Sequence, residues 1–82
     1  VLDVVESRII EFSRSLNDYV VSIRREVHMY PELRFEEFRT SDLIVNELKS
    51  LGIEVFRVGG TGVVGVVRGR GDVTVALRAD MD

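Results

Sequence analysis

The chain has 82 residues, 45% of them hydrophobic and 30% charged, with a net charge of −3 and no cysteine. That length allows at most one small domain, which buries only about 60% of the surface its unfolded chain exposes. The missing cysteine excludes disulfides and thiolate sites, the acidic balance without a basic stripe argues against nucleic acid as the main partner, and no apolar run approaches the ~18 residues of a membrane span.

The chain opens on Val1 rather than Met, as expected after loss of the initiator or an N-terminal truncation. No signal peptide is visible, and a cytoplasmic location suits a chain without cysteine. Asp3, with Glu6 three residues on, resembles a capping box. From there Val5, Ile9, Phe12, Leu16, Val20, Ile23 and Val27 recur at spacings of four and three, which is one face of a helix. Glu11, Arg14, Asp18, Ser22 and Arg25 fall largely on the other side. The pattern predicts helix over residues 3–28, with Ser15-Leu16-Asn17-Asp18 as the place for an interruption.

Pro31 pushes Tyr30 out of the helical region, so the first helix ends by then. His28, the only histidine, reads as a surface or capping residue at that end. Glu36 and Glu37 are adjacent, so on a helix they point about 100° apart. They read as a solvated first turn, well placed for the helix dipole. A second helix is expected over 35–51, with Phe38, Ile44, Val45, Leu48 and Leu51 on its apolar side. Gly52 then supplies a left-handed cap and Ile53 its hydrophobic contact.

From Ile53 the period becomes that of a strand, over 53–58. Gly59-Gly60-Thr61-Gly62 is a turn, 63–67 a second strand, Arg68-Gly69-Arg70-Gly71-Asp72 a second turn, and 73–79 a third strand. The first two strands are most simply an antiparallel hairpin. Gly60-Thr61-Gly62-Val63-Val64-Gly65 matches G-x-G-x-x-G. A dinucleotide site needs a helix after those glycines, to hold the pyrophosphate at its N-terminus. Here they lead into strand, so they read as a tight turn and close packing.

The third strand runs into Arg78-Ala79-Asp80-Met81-Asp82. Side chains alternate along a strand, so Asp80 and Asp82 share one face while the extension lasts. Ligands in open α/β sheets bind beyond the carboxyl ends of strands. Asp-x-Asp is therefore either the floor of a polar site or a strand running into a solvated acidic turn. One histidine and no cysteine fall short of the three protein ligands that a catalytic zinc site usually takes.

With these motifs in place, the chain resembles the N-terminal part of the metal-dependent amidohydrolases. These include hippurate hydrolase, the indole-acetyl-amino-acid hydrolases, N-acyl-amino-acid deacylases (aminoacylases) and related thermostable carboxypeptidases. Three blocks carry the resemblance, in order and at the family's spacing. The first runs from Arg24-Arg25 through His28-Met29-Tyr30-Pro31-Glu32-Leu33 to Phe35-Glu36-Glu37 and Thr40. The second is Gly60-Thr61-Gly62-Val63-Val64-Gly65, and the third Val75-Ala76-Leu77-Arg78-Ala79-Asp80-Met81-Asp82. Each block alone is weak, and the three together are specific.

The resemblance implies an α/β fold in which two helices and three strands open a zinc-exopeptidase-like three-layer αβα catalytic domain. Residues 1–82 are its N-terminal portion. It implies hydrolysis of N-acyl-amino acids or of C-terminal peptide bonds, with two divalent metal ions, zinc or manganese, activating water. The family's metal ligands and catalytic base come from later segments, so none is expected here, and Glu36-Glu37 is not the family's catalytic pair. The position of Asp80 matches a metal-binding His of related branches, and Asp at that position argues against direct ligation. Asp82 matches the Asp that orients that ligand and carries over as a site-supporting residue. His28 and Pro31-Glu32-Leu33 are expected to fix the helix junction. The implied partners are the remainder of the catalytic domain or another copy of the chain, plus a small substrate, with no nucleic acid and no membrane. The alternative is a stand-alone, non-enzymatic binding or assembly module of the same ancestry.

Overall fold

The computed structural model describes residues 2–82. The chain is a mixed α/β structure: α1 (Leu2–Ser15), α2 (Asn17–Met29), α3 (Phe38–Ser50), β1 (Glu54–Val58) and β2 (Gly62–Val66). It divides into two compact units, one ending at Tyr30 and the other comprising Pro31–Asp82. Among the described residues no helix is long and apolar enough to cross a membrane.

In the first unit, α1 and α2 follow one another through Leu16, inside the stretch the sequence marks for an interruption. The Leu16 amide donates to the carbonyls of both Phe12 (3.1 Å) and Ser13 (3.3 Å), and the Val20 amide donates to Leu16 at 3.0 Å. The second bond, to the carbonyl three residues back at Ser13, marks a local 3₁₀-like turn. Ser15 Oγ also donates to the Phe12 carbonyl, at 2.7 Å, and such local bonds compete with the helical ladder. Asp3 lies inside the first turn of α1 rather than at its cap. The seven-residue apolar face exists, but most of it stays at the surface: Ile9 and Phe12 are each 59% exposed and Val20 57%. His28 is exposed in the last turn of α2.

In the second unit, α3 packs on both strands of an antiparallel hairpin. The helix starts three residues later than its apolar pattern suggests. Leu33 to Glu36 form a turn closed by the Glu36 amide on the Leu33 carbonyl at 2.9 Å. Phe35 within it adopts φ +70°, a left-handed conformation that is costly for a residue with a side chain. The start of α3 is then fixed by Glu32. Its Oε2 accepts from the Arg39 amide at 2.9 Å. Its Oε1 accepts from the Thr40 amide at 2.7 Å and the Thr40 hydroxyl at 2.8 Å. These amides are the donors that a cap residue ordinarily satisfies. Here a carboxylate seven and eight residues upstream takes them, at the positive end of the helix dipole.

The other end of α3 follows the expected motif. Gly52 has φ +75°. Its amide donates to Lys49 and the Ile53 amide to Leu48, both at 3.0 Å, the two bonds of a Schellman cap. Val45 is buried against the sheet, with Ile44 and Leu48 half-buried beside it, whereas Phe38 and Leu51 remain exposed.

The hairpin pairs Glu54 with Val66, Phe56 with Val64 and Val58 with Gly62. Its loop, Gly59-Gly60-Thr61, needs left-handed backbone at Gly59 (φ +59°) and Gly60 (φ +85°). The Thr61 amide donates back to Gly59 at 3.1 Å, a γ-turn centred on Gly60. The G-x-G-x-x-G string is thus turn and packing, not a phosphate cradle. Gly62 has no room for a side chain beside the Val58 carbonyl, and Gly65 lies against Leu48 and Ile53. Arg57 ties the hairpin to the helix, donating to Ser41 Oγ at 3.0 Å and Asp42 Oδ1 at 2.7 Å.

The third strand expected over 73–79 does not form. A strand exists only through its ladder, and among the described residues no segment pairs with this one. Val73 and Val75 are each 81% exposed and Leu77 98%.

Glu32 offers a direct test of the junction. Its carboxyl is held below the ordinary carboxylate value, first by the Arg39 amide and then by the Thr40 amide and hydroxyl. A lowered folded-state value means that ionised Glu32 stabilises the fold above the unfolded-state value. That contribution is lost as pH falls through the folded-state value. In thermal melts, Glu32→Gln should therefore melt below the parent at pH 7, and the gap should narrow as pH drops through about 4 and below. A gap independent of pH would assign the effect to packing rather than to the charged cap.

Candidate functional site

The second unit holds a cleft of about 520 Å³, lined by the strained turn at Arg34 and Phe35, by Glu37, by the hairpin loop at Gly59, Thr61 and Gly62, and by the C-terminal residues Arg78, Asp80, Met81 and Asp82. Its walls come from three places in the sequence. The turn before α3 is fixed by Glu32, the loop is shaped by the glycines, and the extended tail brings in the two aspartates. Asp80 and Asp82 thus line one cleft although the strand expected to align them is absent.

The charges in the cleft are unequally engaged. Arg78 donates to Asp80 Oδ1 at 2.7 Å, an exposed pair. The Arg34 guanidinium lies over the Phe35 ring, 5.4 Å from its centroid. Asp82 is exposed. Glu37 is only 8% exposed, and its Oε1 has no hydrogen-bond partner. This corrects the expectation of a solvated Glu36-Glu37 pair: Glu36 is exposed and Glu37 is not. Glu37 occupies the cap position of α3, yet its side chain makes no cap bond. The amides it would take already belong to Glu32. No local pattern signals this, because a capping box spans three residues and the Glu32 contacts span seven and eight.

Among the described residues no three His, Cys, Asp or Glu side chains converge to hold a metal ion. The donor set does not fit a divalent metal of the implied kind. The one histidine is in the other unit, and Asp80 is already paired with Arg78. Calorimetric titration of zinc into metal-free protein at neutral pH should show no stoichiometric site tighter than about 1 μM, equivalent to roughly 8 kcal/mol of binding. A tighter site would mean that the cleft rearranges to bring its carboxylates together.

Similarity to known proteins runs through most of the chain. Thermostable carboxypeptidase 1 of Saccharolobus solfataricus is 49% identical over 72 residues, 84% of this chain and 18% of the relative. An IAA-amino acid hydrolase of Arabidopsis thaliana is 43% identical over 81 residues, 95% of this chain and 18% of the relative. The chain belongs, as a segment, to the amidohydrolase and carboxypeptidase family. Hippurate hydrolase of Campylobacter jejuni, 48% identical over 62 residues, covers 73% of the chain, which spans 16% of that relative. The chain thus spans less than a fifth of the length of these amidohydrolase relatives. No protein-family model matches the chain, and no solved structure matches it.

Proposed function

We propose that these 82 residues are the N-terminal portion of the catalytic domain of a cytoplasmic hydrolase that cleaves N-acyl-amino acids or C-terminal peptide bonds. The observation that carries this reading is identity of 43–49% to a carboxypeptidase and an IAA-amino acid hydrolase, over 84% and 95% of the chain. The names of those relatives, with hippurate hydrolase, share one chemistry: hydrolysis of an amide next to an amino acid. The proposal includes the three-layer αβα zinc-exopeptidase fold, with two divalent ions, zinc or manganese, held by residues outside this segment. Asp82 would support the metal-binding side chains, and Asp80 would contribute less. The segment alone would be inactive.

The test is to express the complete reading frame that carries this segment and assay release of amino acid from N-benzoyl, N-acetyl and indole-acetyl conjugates and from C-terminal peptide bonds. Hydrolysis abolished by a chelator and restored by zinc or manganese is expected. A frame that ends at Asp82, or a complete protein that cleaves none of these amides, would favour the non-enzymatic module instead.

A further inference from the structure

We infer that the cleft beside Glu37 is a docking socket for a basic side chain, Lys or Arg, supplied by the remainder of the hydrolase. This rests on the hydrolase reading given above.

Three observations meet at this cleft. A carboxylate that is 8% exposed has an oxygen with no donor. Burying such a group without a partner is costly, so native structures pair it. The side chain is also released from its local task. Glu37 stands at the cap position, but Glu32 already accepts from the amides of Arg39 and Thr40. Finally, the turn that carries the chain into Glu37 is strained, with Phe35 at φ +70°. Strain of this kind persists where surrounding structure over-determines it, and it clusters at binding positions.

The chemistry of the occupant follows from what is engaged. Of the cationic groups lining the cleft, Arg78 is held by Asp80 and Arg34 lies over Phe35. The acidic groups outnumber them, with Glu37, Asp80 and Asp82 against Arg34 and Arg78. A cationic N–H donor satisfies both the orphaned oxygen and the charge balance. A metal ion is disfavoured, because the carboxylates do not converge. The source follows from length. The chain is 18% of its relatives, so most of the surface that can close over this cleft lies in the rest of the enzyme.

The experiment uses the complete hydrolase carrying this segment. Glu37→Gln should lower its melting temperature by several degrees, because a buried cation left unpaired is strongly destabilising. Glu36→Gln, at the exposed neighbour, should shift it by no more than about 1–2 °C. Each Lys and Arg outside the segment is then changed to Met, alone and with Glu37→Gln. One position should couple, the double variant melting well above the value that additivity predicts. Should Glu37→Gln fail to accumulate as folded protein, the charge-retaining Glu37→Asp takes its place in the same cycle. An unchanged melting temperature, or no coupled position, overturns the inference. So does a Glu37→Gln protein that melts normally but loses stabilisation by added arginine or ammonium, since the site would then serve a small ligand. Amide hydrolysis by the parent enzyme is read in parallel. An active parent with no effect at Glu37 sinks only the socket, whereas an inactive parent sinks the hydrolase reading.

Discussion

In a complete hydrolase carrying this segment, Asp82→Asn should lower turnover by about 10- to 100-fold, the usual cost of removing a carboxylate that supports metal ligands. The melting temperature should change little, because Asp82 is exposed and the amide keeps its shape. Asp80→Asn should cost less. Its carboxylate already shares its charge with Arg78 at 2.7 Å, and an exposed pair of this kind is worth about 0–1 kcal/mol. Steady-state kinetics with metal content measured on the same samples separates the cases. Unchanged turnover and metal content in Asp82→Asn would reduce Asp-x-Asp to an acidic turn. Greater loss in Asp80→Asn, with metal released, would make Asp80 a direct ligand.

Gly62→Ala should be more damaging than alanine at Gly65 or Gly69, at about 1–3 kcal/mol. A Cβ at Gly62 would stand 2.6 Å from the Val58 carbonyl oxygen and 3.1 Å from Val58 Cγ2. Val58 and Gly62 are the pair that closes the loop, so the oxygen cannot move without opening the hairpin at its tip. At Gly65 the nearest atoms are Leu48 Cδ1 at 3.1 Å and Ile53 Cγ2 at 3.2 Å, ends of side chains that can shift, so Gly65→Ala should cost less. Gly69→Ala meets nothing within 4 Å and should fall within about 0.5 kcal/mol of the parent. Urea melts of the three variants give the order. Equal losses would mean that loss of glycine itself matters, not the contact.

The local parts of this fold were legible because their signals are local. Gly52 and Ile53 announce a helix end by residue type and position, and the Schellman bonds follow. Leu16 falls in a stretch where apolar spacing and small polar residues compete, and the helix is interrupted there. The two-strand hairpin follows from its alternation and its glycines. What stayed hidden depends on partners distant in sequence. Val73, Val75 and Leu77 carry a strand pattern, but pattern cannot provide a neighbour to pair with. Glu37 looked solvated because Glu32's reach to the start of α3 has no short-range signature. Asp80 and Asp82 could be marked as candidates by type and spacing, but only the tertiary arrangement places them in one cleft with Glu37.

The contacts that hold α3 and the hairpin together as one unit carry a kinetic consequence. Arg57 of β1 reaches Asp42 of α3 across 15 positions, and within the hairpin segment Arg68 reaches Glu54 across 14. Loop closure over such short distances is fast, and structure rich in local contacts folds early. During synthesis the helix–hairpin unit can close as soon as β2 has left the ribosome, before residues 73–79 have found anything to pair with. The nascent chain would then present a settled nucleus followed by a bare, apolar ribbon, the kind of edge that recruits other chains. How soon that ribbon is covered, and by what, would set the yield of folded protein.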